Sequence, residues 1–218
     1  MKKFLKIFVL LSLPPQVLII LAFCLIFALT FHEFGHAYIA HLCGDDTAKA
    51  VGRMSINPLV HLDFFGSLMV LIAGFGYARP VPVNPNNYLV RNADFYIASA
   101  GPLMNLLLGI LGAFLYGILV KNSVTILAGV PLLFLLKLFI IINFNLFLFN
   151  LIPLGPLDGS SVFPYFLPKY LRIRYQHWNL RYGSYVLLVL VLLSIMLPNF
   201  SAFSWINSIS MSMTNGLL

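Results

Sequence analysis

Charge is what this chain has least of. Charged residues fill 9% of its 218 positions, against roughly 25% in soluble domains, and Glu33 is its one glutamate. A hydrophobic share of 61% and a mean hydropathy of +0.96 exclude a water-soluble globule. Cysteine is nearly absent too. Cys24 and Cys43 are separated by about 28 Å along a continuous helix, which rules out a bridge between them and leaves two free thiols. No internal repeat or long polar insertion is visible, so one membrane unit over 1–218 is expected, with a core at about 16–160 and a C-terminal span and tail at about 161–218. A net charge of +7 raises nucleic acid as a partner, but the basic residues are scattered over short connectors with no dense stripe, so none is expected. The start of the chain imitates a signal peptide, and 21–24 imitates a lipoprotein site. Neither has a small-residue cleavage pair, so the N-terminus reads as mature sequence.

What is present is a series of apolar runs at 17–42, 93–120, 126–154 and 185–197, with a shorter one at 64–78. A crossing helix needs about 20 residues, so the stretch at 4–13, cut off by Pro14-Pro15, is too short to span alone. The expected fold is an all-α membrane protein. It is a polytopic transmembrane helix bundle with a short re-entrant or extended element between the helix of the first run and the next span.

The lone glutamate sits inside the first run, in His32-Glu33-Phe34-Gly35-His36. An acid in an apolar stretch is expensive and points to function. Two histidines at i and i+4 project from one helix face and can share a zinc ion, and the glutamate between them can act as base toward a water that the metal activates. A mononuclear zinc site needs a third protein ligand, and Asp158, at the end of the third long run, is the best remaining donor. With two neutral histidines and one carboxylate, a zinc shell that also holds hydroxide is neutral, which lowers the cost of burial.

This pairing constrains topology. Asp158 and the HExxH pair each lie near the C-terminal end of a helix, so the two helices must run in the same direction, and only one of the two segments between them can cross. The shorter one, 64–78, is then the re-entrant element. The face near the metal would carry Lys49, Arg53, Arg79, Arg91, Lys169, Arg172, Arg174 and Arg181, with Lys121 opposite and Lys2, Lys3 and Lys6 opposite too unless the first segments form a tight hairpin, so the positive-inside rule turns the site toward the cytoplasm of an inner or plasma membrane. The uncharged tail at 199–218 would lie outside.

Asn145 and Asn150 approach Asp158 along the third run and could hold an unpaired substrate backbone, or join helices. Asn143 reads as structural. Ser99 to Asn105 puts small residues and Pro102 in a helix that should pack tightly beside the metal helix, and Gly35 asks for a close neighbour. Asn105 reads first as helix glue and second as an orienting partner of a metal ligand. His41, His61 and His177 read as loop or interfacial residues. Lys137 reads as snorkelling toward the outer face. The residues also admit a metal or ion transporter, or a non-catalytic scaffold that uses the same ligands. Transporters tend to show repeated halves and several midplane carboxylates, whereas only Glu33 and Asp158 are placed near the membrane core here. A scaffold would not need Glu33.

Five stretches taken in order resemble the site-2 protease family of intramembrane zinc metalloproteases: His32 to His36, Asn57 to Asp63, Ala78 to Pro85, Ala100 to Asn105 and Asn150 to Gly159. The resemblance implies His32, His36 and Asp158 as ligands of one zinc ion and Glu33 as catalytic acid and base. It implies Asn145 and Asn150 near the substrate backbone, and transmembrane segments of other membrane proteins as substrates. The chain resembles a short form without a PDZ or nucleotide-binding domain. It carries Gly155 where the family often has proline.

Overall fold

The computed structural model describes residues 13–63, 66, 78–127, 130–197 and 200–218. The expected short apolar start and re-entrant element, at 4–13 and 64–78, lie almost entirely outside the described residues.

Three long helices form the body: α1 (Pro15–Leu42), α2 (Ala93–Lys121) and α3 (Leu132–Asn150). Each is long and apolar enough to cross a membrane. At 1.5 Å per residue the 28 residues of α1 extend about 42 Å, more than the roughly 30 Å hydrocarbon layer. Pro15 stands in the first turn of α1, where its missing N–H is no loss, and Gly44 breaks the chain just past its end at φ 100°. α3 begins directly after Pro131 and stops before Pro153 and Pro156. Its start is later than the apolar run suggests, because Ile126–Leu127 and Val130–Pro131 pair as a short antiparallel ladder ahead of it.

The bundle interior combines small and amide side chains with a few large apolar ones, chiefly Ile140 and Phe144. Its fully buried positions include Cys24, Ala28, Asn105 and Asn143, while Ile19, Leu107 and Phe114 face outward. Lipid solvates large apolar side chains as well as a protein core does, so small residues that let backbones approach are the ones worth burying. Gly109 and Gly112 of α2 receive Phe144 and Ile140 of α3 in reverse order, which makes these helices antiparallel. Cys24 and Phe27 of α1 meet Leu135 and Phe139 of α3 in the same order, which makes those two parallel. α1 and α3 therefore deliver their C-terminal ends to one face, and α2 delivers its N-terminal end there.

Beyond α3 the chain doubles back through 151–158 and then forms α4 (Lys169–Trp178) and α5 (Ser184–Met196). A π turn at Asn179–Gly183 joins these two, so the apolar run expected at 185–197 is the second half of a continuous 28-residue helix from 169 to 196. The tail folds as α6 (Ser204–Leu217). It buries Ile206, Ser210 and Thr214 at four-residue spacing, and the Ser210 hydroxyl donates to the Ile141 carbonyl of α3 at 3.1 Å. The tail is thus a docked helix.

Candidate metal centre

His32 and His36 lie one turn apart on α1, and their Nε2 atoms are 3.1 Å from each other. Asp158 Oδ2 completes the group, 3.1 Å from His32 Nε2 and 3.4 Å from His36 Nε2. Both histidines are buried. What lies behind the rings decides what faces inward. His32 Nδ1 is 2.7 Å from Asn105 Oδ1, and His36 Nδ1 is 2.7 Å from the Ile97 carbonyl. Both partners are acceptors, because the Asn105 amide nitrogen is committed to the Ala28 carbonyl at 3.1 Å and to Asn143 Oδ1 at 3.0 Å. Each Nδ1 therefore donates, and each neutral ring turns a lone pair on Nε2 toward the other.

Asp158 Oδ2 is buried and has no hydrogen-bond donor among the described residues, so its short approaches to the rings are lone-pair contacts. Three lone-pair atoms converging in this way repel one another unless a cation lies between them. Tetrahedral zinc with bonds of about 2.0–2.1 Å sets its ligand atoms about 3.3 Å apart, which matches this spacing. The donor set fits zinc.

Close helix contact makes the arrangement possible. A methyl group on Gly101 of α2 would collide with Nε2 of both histidines, and one on Gly35 of α1 would lie 3.1 Å from the Ala100 carbonyl. The small-residue stretch in α2 therefore lies directly against the metal helix. Asn105 acts as both helix glue and orienting partner. Asn143, expected to be only structural, extends the same relay behind His32, with its own amide nitrogen donating to the Phe139 carbonyl at 2.9 Å.

Beside this group is a cavity of about 420 Å³, lined by Glu33, Val81, Val83, Phe149 and Asn150 among others. Glu33 is buried. Asn150 donates its amide nitrogen to the Leu146 carbonyl at 3.0 Å, and its carbonyl oxygen has no donor among the described residues. Asn145 does not line the cavity, although its Oδ1 is buried and has no partner among the described residues. Asp94 does, so Glu33 and Asp158 have a third acid for company, against expectation. The available signal was an acid in the first turn of α2, one turn before Ile97.

The remaining histidines stay out of the metal group. His61 is a loop residue, but a buried one, held at 2.7 Å from the Ser55 carbonyl through Nε2. His41 pairs with Asp46. His177 lines a separate cavity.

The loop that carries Asp158 is positioned from two directions. Gly159 is pressed on the Leu151 and Ile152 carbonyls at the end of α3, where a side chain would not fit. From α4, the Tyr175 hydroxyl donates to the Pro153 carbonyl at 2.9 Å, and Asn179 Oδ1 accepts from the Gly155 N–H at 2.8 Å. Neither Tyr175 nor Asn179 stands out in the sequence, since both follow the ligand by more than fifteen residues and belong to no recognisable motif.

Residues 20–129 and 118–196 match the family model described as Peptidase family M50. YwhC of Bacillus subtilis, by its name a candidate zinc metalloprotease, is 42% identical over 185 residues, covering 83% of this chain and 81% of that protein. Rip2 of Mycolicibacterium smegmatis, also named as a candidate zinc metalloprotease, is 28% identical over 89 residues, covering 38% of this chain and 34% of its own length. No solved structure matches the chain.

Proposed function

The chain belongs to peptidase family M50, the site-2 protease family, and we propose that it is an intramembrane zinc metalloendopeptidase that hydrolyses peptide bonds in or near transmembrane segments of other membrane proteins. The observation that carries this reading is the meeting of His32 Nε2, His36 Nε2 and Asp158 Oδ2 beside buried Glu33, in a cavity that opens among helices long enough to span a bilayer. These three residues would hold one zinc ion per chain.

A zinc ion held there supplies a Lewis acid that polarises a carbonyl and makes water acidic enough to attack at neutral pH. Glu33 accepts the proton of the attacking water and returns it to the leaving amine. Asn105 and the Ile97 carbonyl keep the two imidazoles in the tautomer that presents lone pairs inward. Asn150 lines the cavity, and its carbonyl oxygen, which has no donor among the described residues, suits a substrate N–H that has left its own helix. Asn145, about one and a half turns earlier on α3, does not line the cavity, so the substrate contact falls to Asn150. The whole chain acts as one unit, with its active site open to the cytoplasm.

The test is a pair of substitutions in the full chain, co-expressed with a single-span membrane protein. Glu33→Gln should keep its zinc and lose cleavage, because the ligands remain and the base does not. Asp158→Ala should lose both. Metal-ion uptake into vesicles that is equal for wild type and Glu33→Gln, with no cleavage by either, would replace the protease reading with a transporter.

A further inference from the structure

The grip of the C-terminal helix on the loop before Asp158 has a functional meaning. Tyr175 and Asn179 are four residues apart, so they share one face of the helix and hold two points of the loop, Pro153 and Gly155. Gly183, at the next turn, makes room for this contact: a methyl there would overlap Asn179 Oδ1 and approach the Gly155 nitrogen to 3.0 Å. Asn179 opens the π turn of that helix, and π turns are frequently found at functional sites.

Asn179 also borders a second cavity of about 440 Å³, lined with it by Gln176 and His177, and this cavity shares Asp94 and Ser161 with the one at the metal centre. The helix itself is lightly held. Among its described residues from 169 to 196, only Gly183 and Leu187 are buried.

We propose that Asn179 is a positioning residue for the metal ligand Asp158: through the Gly155 N–H it fixes the ligand loop, and so ties the place of Asp158 to the place of the C-terminal helix. The inference rests on Asp158 being a ligand, as the reading above has it. A displacement of 169–196 pulls the loop at Gly155 and moves the carboxylate, whereas His32 and His36, held from behind by α2, stay where they are. The C-terminal helix can therefore loosen one ligand of three without disturbing the others.

The experiment uses the purified full chain in detergent, with zinc affinity measured against a chromophoric chelator and ligand geometry read from the visible spectrum of the cobalt(II)-loaded protein. Asn179→Ala and Gly183→Ala should each weaken zinc binding about 10- to 100-fold and alter the cobalt spectrum, the usual size of effect for a partner that orients a ligand. Asn179→Asp keeps the acceptor and should stay within about threefold of wild type by the same comparison. Leu180→Ala, on the exposed side of the same turn, should change nothing. Where Asn179→Ala fails to fold, Tyr175→Phe replaces it, since it removes only the hydroxyl on Pro153 and should still lower affinity. Wild-type affinity and spectrum in Asn179→Ala, or in Tyr175→Phe where that variant stands in, overturns the inference, as does a loss in Asn179→Asp equal to that in Asn179→Ala. A wild-type chain that binds neither zinc nor cobalt sinks the metalloprotease reading instead.

Discussion

Gly101 and Asn105 do for the two histidines what no part of HExxH can do for itself. The spacing of His32 and His36 puts them on one face of α1, but the direction in which each lone pair points is set from α2, by Asn105 at 2.7 Å behind one ring and the Ile97 carbonyl at 2.7 Å behind the other. Asn105→Ala should leave the His32 ring free to change tautomer, with zinc affinity falling about 10- to 100-fold as a chelator titration reads it. Gly101→Ala places a methyl against both Nε2 atoms and should abolish zinc binding in a chain that still inserts and folds. Retained affinity in Gly101→Ala would show that the helices do not approach as closely as described. At this scale the sequence is legible where contacts are local. His32, Glu33 and His36 announce themselves within five residues, and Asp158 follows from the coordination count. Asn143 does not, because its value depends on Asn105, which lies 38 residues away on another helix.

The helices themselves were largely legible, since an apolar run of the right length bounded by proline or glycine has few alternatives in lipid. What escaped was how elements are tied together. Asp45, just past the end of α1, is fully buried and accepts from the Asn84 N–H at 2.6 Å, the Asn87 amide at 2.9 Å and the Thr47 N–H at 3.1 Å. It straps the metal helix to the segment that leads into α2, where the Leu89 N–H also reaches the Cys43 carbonyl at 2.8 Å. Gly-Asp-Asp reads in sequence as a helix stop, and nothing in it reveals a partner forty residues on. Burial acts to raise the Asp45 pKa, but the donors of Thr47, Asn84 and Asn87 together outweigh it and hold the carboxyl below the ordinary range. A depressed folded-state pKa gives stability that is fully present above the unfolded value, near 4, and is lost as pH falls through the folded one. Thermal unfolding of the detergent-solubilised chain should therefore show a melting temperature that drops faster below about pH 4 in wild type than in Asp45→Asn. Parallel curves for the two proteins would mean that the strap does not depend on the charge.

For the molecule as a whole, helix direction and the placement of basic residues single out the same face. α1 and α3 run in parallel and α2 runs against them, so the end of α2 at Lys121 lies at the far end of the bundle from Asp158, while Lys169 follows the ligand loop on the near side. The side chains that made this legible are few, because in so apolar a chain each charge must find an interface, and eight basic residues cluster by chain position near the metal end. The docked tail was not legible. α6 offers only Ile206, Ser210 and Thr214 as its buried stripe, a mixed set that no hydrophobic pattern would single out. Orientation can be tested with two single cysteines, Lys121→Cys and Lys169→Cys, since both native thiols are buried and silent toward a membrane-impermeant maleimide. In intact cells the reagent should label Lys121→Cys, and it should reach Lys169→Cys only after permeabilisation, because the more basic face is retained in the cytoplasm. Labelling of both from one side would contradict the antiparallel course of α2 through the bilayer. Labelling of Lys169→Cys alone in intact cells would keep the bundle and invert it, opening the metal centre to the outside.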